Sequence, residues 1–287
     1  MTKKCLLLIA LGLVLSARAL ALPLWELEGT NNRVHILGSV HFLRATDYPL
    51  PAAIMAVYAD ADTLVFELDL SRLDPMATAE LLQQLAIDPR GNDLEDYLGT
   101  KNYRDATSMA ADIAIDISTL RPYEPWFAAL QITQLRLGQL GFDGTWGIET
   151  QLTLKAVGDG KDIGGLESLE QQFDALDSLP PTAQREFLMQ TLEDAADIEA
   201  GLDAIIRAWR AGDVDTLESE LLEGLADQPE LYDRILVQRN RDWTRQIVGF
   251  TKNSKDYLVI VGALHLVGED SVIRMLEQQG IRARQLN

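Results

Sequence analysis

Cysteine is almost missing from this chain of 287 residues, and the single one, Cys5, sits near its start. An intrachain disulfide is therefore excluded, and stability has to come from a packed apolar core. Histidine is nearly as scarce, with three in all, His35, His41 and His265. Positive charge is short too: 25 Lys and Arg stand against 44 Asp and Glu, for a formal net charge of −19. So acidic a surface argues against nucleic acid and anionic lipid headgroups as partners. Familiar catalytic motifs are also lacking, with no HExxH helix, GxSxG elbow, Walker loop or Rossmann fingerprint. A Ser-His-Asp triad wants a well-placed serine, and Ser39 is a candidate only because it stands beside His41. Past the opening segment, no apolar run approaches the length of a membrane span.

That opening segment is different in kind. Lys3 and Lys4 form a positive head, Leu6 to Leu15 an apolar body, and Ala19-Leu-Ala21 a small-residue exit. Residues 1–21 read as a secretory signal peptide cleaved after Ala21. The protein is then expected to be exported, periplasmic or extracellular, without stable membrane insertion once the leader is gone. The alternative is a retained anchor, although the apolar body falls short of the about 20 residues a span needs. Residues 22–287 can bury a sizeable core and are read as a single domain.

Two strands around a polar turn begin this domain, the second running through Val34-His-Ile-Leu37. His35 alternates with Val34 and Ile36 and is taken as structural, facing away from whatever His41 serves. Pro49 and Pro51 introduce a helix over 52–59. The short apolar run Thr63-Leu-Val-Phe66, bounded by acids, is the mark of a buried strand, and completes a βαβ unit. The middle of the chain is mostly helical by period, with helices expected at 93–98, 103–110, 126–137, 146–157, 166–176, 181–211 and 230–250 among others. A strand over 257–261, a helix over 271–279 and an edge strand near 280–284 close the chain. The fold class is α/β: a central mixed sheet built from both chain ends, about 23–70 and 255–287, with a large helical insertion, a lobe over about 75–250.

Two of the scarce histidines share a setting. Gly38-Ser-Val-His41 and Gly262-Ala-Leu-His265 each follow an apolar run by the same Gly-x-x-His step. In a parallel sheet, ligands collect where loops leave the carboxyl ends of the strands. Either box alone would pass as a strand-end turn with a solvated histidine; as a matched pair they point to metal or base chemistry. Glu67 interrupts an apolar strand near its carboxyl end, where a carboxylate is costly unless paired or metal-bound. An edge position or a salt bridge to an arginine such as Arg239 would also explain it. His41, Glu67 and His265 together are the ligand set of a catalytic divalent ion, Mn²⁺, Co²⁺ or Zn²⁺, that keeps open positions for water. Spacing does not separate Glu67 as ligand from Glu67 as general base.

The pattern Trp25…Val34-His-Ile-Leu-Gly-Ser-Val-His41, Leu50-Pro and Leu64-Val-Phe-Glu67-Leu-Asp resembles the TraB/GumN/Tiki family. The resemblance continues through Leu120-Arg-Pro-Tyr-Glu-Pro-Trp126, Gly147-Ile-Glu149, Gly165-Leu-Glu167, Arg239-Asn240…Trp243 and Val261-Gly-Ala-Leu-His265. It implies an α/β fold with a helical insertion and, for the animal Tiki members, a metal-dependent protease. The two histidines and the glutamate of that family fall on His41, His265 and Glu67, and its arginine-asparagine pair on Arg239 and Asn240. Glu149 departs from the Asp expected after Gly-x. Arg239 is expected to steady Glu67 or a developing oxyanion and Asn240 to donate a hydrogen bond, unless both belong to a solvated basic face. Glu167 and Lys161 are read as structural, and Trp126, Trp146 and Trp243 as filling the core or a lobe interface. The leading expectation is an exported metal-dependent hydrolase acting on a peptide or protein substrate. Its rivals are a non-catalytic protein binding a metal, a haem-like ligand or a peptide in the same pocket, and a regulatory protein.

Overall fold

The computed structural model describes residues 22–28 and 31–286; the expected leader at 1–21 lies outside them. Six strands form one sheet: β1 (Leu24–Leu27), β2 (Val34–Ser39), β3 (Thr63–Phe66), β4 (Asp162–Gly165), β5 (Tyr257–Gly262) and β6 (Ala283–Gln285). Their spatial order is β4-β3-β5-β2-β1-β6. The first four in that order run parallel, and β1 pairs antiparallel with both β2 and β6. The sheet is thus mixed and draws on both ends of the chain. β5 lies between β2 and β3 with every residue buried, which is why Tyr257-Leu-Val-Ile-Val reads as an unbroken apolar run rather than an alternation.

Helices cover both faces. In chain order they are α1 (Ala52–Asp60), α2 (Pro75–Leu85), α3 (Leu94–Asp112), α4 (Pro125–Gln139), α5 (Ile148–Asp159) and α6 (Leu169–Asp177). After these come α7 (Pro181–Asp194), α8 (Ile198–Ala211), α9 (Val214–Leu222), α10 (Pro229–Tyr232), α11 (Gln238–Phe250) and α12 (Val272–Gln278). One face of the sheet, with Leu37, Leu64, Phe66, Leu258 and Ile260, packs on Ile54 of α1, Leu152 of α5 and Trp209 of α8. The opposite face, with Ile36, Val65, Val259 and Val261, packs on Trp243 and Ile247 of α11 and Leu276 of α12. A further core joins α3, α4 and α7 through Leu98, Ile132 and Leu188, away from the sheet.

Several boundaries differ from the sequence reading for physical reasons. The 181–211 stretch is two helices, because Leu188 and Leu192 pack in the helical core whereas Ile206 and Trp209 pack on the sheet. The Ala195 carbonyl freed at the break accepts from Arg136 Nε at 2.8 Å. Strand β4 lies inside the stretch read as a helical lobe. Its Asp-Ile-Gly-Gly sequence carries no apolar period, and only pairing with β3 makes it a strand. His35 does not face away from the His41 side. Strand alternation puts it on the Leu37 and Ser39 face of β2, near the far end of that strand, where burial pushes its imidazole pKa down. Trp126 and Trp243 are buried, but Trp146 is 37% exposed and fills no core.

A candidate metal and catalytic site at three strand ends

Register brings the carboxyl ends of β2, β5 and β3 side by side, with Ser39 opposite Gly262 and Phe66 opposite Ile260. Each strand delivers one residue just beyond its end. Glu67 follows β3 directly, His41 leaves β2 after Val40, and His265 sits in a short 3-10 turn after β5. Glycine makes this convergence possible: a Cβ on Gly262 would lie 3.1 Å from His41 Nε2 and 3.3 Å from Glu67 Oε1. A Cβ on Gly38 would press on the Ala263 backbone at 3.2 Å. Trp209 of α8 donates Nε1–H to the Gly38 carbonyl at 2.7 Å and fixes the end of β2 from beneath.

Glu67 is buried, its side chain 6% exposed, and is fully engaged. Its Oε1 accepts the Gly262 N–H at 2.6 Å, and its Oε2 accepts from Arg239 Nη2 at 2.8 Å and from Gln172 Nε2 at 3.4 Å. Burial alone would raise this carboxyl; the charges of His265, Arg239 and His41 and the Gly262 N–H outweigh it and bring the pKa to about 2. His265 is neutral near pH 7, so Arg239 carries the largest share of that effect there.

Besides Glu67, Arg239 is held from three sides. Glu167 grips it with both oxygens, at 2.8 and 3.1 Å, the Ile235 carbonyl accepts from Nη1 at 3.0 Å, and the guanidinium lies 4.6 Å over the Trp243 ring. Ile235 belongs to a π-turn, Asp233–Val237, that interrupts the continuous helix from α10 to α11. Trp243 Nε1 donates to Glu167 at 3.2 Å.

The two imidazoles are oriented by their Nδ1 atoms. Asn240 Nδ2 donates to the Asp270 carbonyl at 2.8 Å, which turns its Oδ1 toward His265 Nδ1, 2.6 Å away. An amide oxygen only accepts, so Nδ1 carries the proton and Nε2 presents a lone pair. Burial, then the Arg239 charge, pushes the His265 pKa down to about 3 and keeps the ring neutral. Its Nε2 lies 3.9 Å from Glu67 Oε1 and 3.3 Å from Arg239 Nη1. On the other side, His41 Nδ1 faces Glu149 Oε1 at 2.8 Å, and Ser39 Oγ donates to the same oxygen. The Glu149 charge is the main cause that raises the His41 pKa to about 9. Glu149 Oε2 is buried and makes no hydrogen bond among the described residues. Exposure is lopsided: the His41 side chain is 54% exposed, against 5% for His265. The site therefore opens toward His41.

The donor chemistry suits a divalent cation. His265 Nε2 offers a lone pair and His41 Nε2 a replaceable proton, both near one ionised carboxylate, and each Nδ1 has the outer partner that metal-bound histidines require. The spacing is looser than the chemistry. Among the described residues no group of three His, Cys, Asp or Glu side chains is set closely enough to hold an ion. Arg239 already supplies positive charge to Glu67 and reaches His265, and so stands where a cation would act.

All five residues expected from the sequence, His41, Glu67, Arg239, Asn240 and His265, thus lie at one place. Asn240 accepts from the ring through Oδ1 rather than donating to a reacting group. Three further participants were missed. Glu167, read as structural, positions Arg239; Glu149, noted only as a departure from the expected Asp, holds His41; Gln172 of α6 reaches Glu67. The signal for Glu149 was an acid in the first turn of a helix whose neighbours Ile148 and Leu152 are apolar and buried. Lys161 does serve structure, donating to the carbonyls of Ala59 and Ala61 at 3.3 and 2.5 Å.

The family model described as the TraB/PrgY/gumN family matches residues 23–285. Two curated relatives share 26% identity with the chain over 247 residues, covering 86% of it and 88% of each relative. They are named "Uncharacterized protein YbaP", from Escherichia coli (strain K12) and from Shigella flexneri. No solved structure matches.

Proposed function

The chain belongs to the TraB/PrgY/gumN family, and from that premise we propose that it is an exported, metal-dependent hydrolase acting on peptide bonds. The observation that supports this reading most is the meeting of two Gly-x-x-His loops and Glu67 at adjacent parallel strand ends, with both Nδ1 atoms already engaged. His41 Nε2, His265 Nε2 and Glu67 would hold one divalent ion, Mn²⁺, Co²⁺ or Zn²⁺. Such an ion supplies an activated water and polarises a carbonyl.

The chain's own groups do the rest. Glu149 and Asn240 keep the two rings in place, so that little reorganisation is needed at the moment of reaction. Arg239, held by Glu167, stabilises negative charge that develops on a substrate oxygen beside Glu67. Glu67 is either a ligand or the base that takes a proton from the attacking water. Export rests on the Lys3 to Ala21 stretch of the sequence alone. A peptide-library cleavage assay with each of the three ions tests the reading by comparing wild type with Glu67→Gln. Cleavage reduced by about 100-fold or more in the variant is expected, and equal cleavage contradicts it.

The hold of Arg239 on Glu67 favours one second reading, a protein that binds a metal, a haem-like ligand or a peptide in this pocket without turnover. That reading predicts ligand uptake that depends on His41 and no cleavage of any library member.

A further inference from the structure

We infer that Trp146 and Tyr48 form a shelf beside His41 that takes an aromatic or large aliphatic side chain of a peptide. The nature of the occupant rests on the hydrolase reading above; the position of the shelf does not.

Four of the five tryptophans, Trp25, Trp126, Trp209 and Trp243, are at most 6% exposed, whereas Trp146 is 37% exposed. It is not a loose surface side chain. Asp143 N–H donates to the Leu43 carbonyl at 3.0 Å and Ile148 N–H to the Val40 carbonyl at 3.2 Å, so the loop carrying Trp146 is stitched along the His41 segment. Gly147, the next residue, lies against His41 so closely that a Cβ there would fall on the His41 carbonyl, 2.9 Å from its carbon. Within the loop, Asp143 accepts from the Thr145 N–H at 2.7 Å and Gln151 Nε2 donates to the Thr145 carbonyl at 2.7 Å.

Tyr48 completes the shelf. Its hydroxyl donates to the Trp146 carbonyl at 2.8 Å, and the two rings sit 5.4 Å apart at 54°. Burial, then the charges of Glu149 and Asp47, raises the Tyr48 pKa to about 12, so the hydroxyl remains a donor at any working pH. The Glu149 carboxylate that acts on Tyr48 is the one that pairs with His41, and Gly147 abuts the His41 backbone, so the shelf stands beside the exposed His41. Two ordered, tilted rings offer apolar area at little entropic cost, as aromatic recognition surfaces do.

The test reads binding rather than turnover. Because the other tryptophans are buried, acrylamide quenching of the full chain reports Trp146. The probes are blocked pentapeptides of alanine with phenylalanine, leucine, serine or lysine at the centre, with and without MnCl₂. The phenylalanyl and leucyl peptides are expected to shield Trp146 and, by isothermal titration calorimetry, which needs no tryptophan, to bind roughly tenfold or more weakly to Trp146→Ser and Tyr48→Ala than to wild type. Leu154→Ser, on the outer surface of α5, is expected to bind them as wild type does. Absence of shielding, equal shielding by the seryl or lysyl peptide, or unchanged affinity in both shelf variants would overturn the inference. Shielding without cleavage counts against the hydrolase reading and leaves the shelf standing; cleavage indifferent to both shelf variants does the reverse.

Discussion

Glu149 shows how a single carboxylate can decide what a histidine does. With Oε1 2.8 Å from Nδ1, it leaves only Nε2 of His41 free to face Glu67 and Gly262. Glu149→Gln keeps the size of the side chain but can present an N–H to the ring. The expected outcome is a 10- to 100-fold loss of metal affinity or activity, the usual cost of an outer partner, with circular dichroism unchanged. Gly147 shows the same dependence in steric form. Its φ of −56° suits any residue, so only the approach of the His41 carbonyl demands glycine. Gly147→Ala should cost about 1–3 kcal/mol in urea unfolding, because the neighbouring atoms are backbone and cannot swing aside. An alanine variant as stable as wild type would remove the claim that this contact fixes His41.

The five site residues were legible in the sequence for unequal reasons. His41 and His265 showed because histidine is scarce and both follow the same step, and Glu67 because it breaks an apolar strand. Asn240 came from the family resemblance, and Arg239 both from it and as a salt-bridge partner that a buried Glu67 would need. Glu167 and Gln172 were not legible: they reach the site only because β4 pairs with β3 and turns the 166–172 segment across its end. The π-turn at Asp233–Val237 was hidden for another reason, since one widened turn leaves the apolar period of the flanking helix almost unchanged.

At the scale of elements, the site depends on helices that touch no reacting atom. Helix α8 pins β2 through the Trp209 Nε1–H to Gly38 carbonyl bond. Trp209→Phe would leave that buried acceptor unpaired, and a loss of about 1–3 kcal/mol is expected on chemical denaturation. Helix α11 meets the site with Arg239 and Asn240 while Trp243 and Ile247 pack on the sheet, so one helix couples the core to the chemistry. The helix over 181–211 was misread as continuous because both halves have helical periodicity, and only the change of packing partner splits them.

Across the whole molecule, acidity is the governing feature, with a formal net charge of −19. Several carboxylates are held below their ordinary range in the fold, and Asp88 is a clear case. Its buried oxygens accept from Arg90 Nε at 3.0 Å, the Arg90 N–H at 2.9 Å, Asn92 Nδ2 at 2.6 Å and the Tyr97 hydroxyl at 3.0 Å. Hydrogen bonding from Arg90 is the largest cause of its depressed pKa. Because the folded value lies below the unfolded one, near 4, this stabilisation is complete above that value. It is lost as pH falls toward the folded one. Thermal unfolding should therefore show Tm falling as pH drops below about 4, and Asp88→Asn should lower Tm near neutral pH and flatten that fall. The proposed export is checked separately: the cell-fractionated protein is expected to begin at Leu22 when its N-terminus is sequenced. Recovery of an intact Lys3-Lys4 head would instead indicate a retained segment.

The central claim is that His41, Glu67 and His265 act as one cation site despite the hold of Arg239. Equilibrium dialysis against Mn²⁺, Co²⁺ and Zn²⁺ followed by elemental analysis tests it most directly, on wild type, His41→Ala and His265→Ala. The prediction is about one ion per wild-type chain, the number a site with three protein ligands takes, and none in either variant. Wild type without a stoichiometric ion, or variants that retain it, would contradict the account.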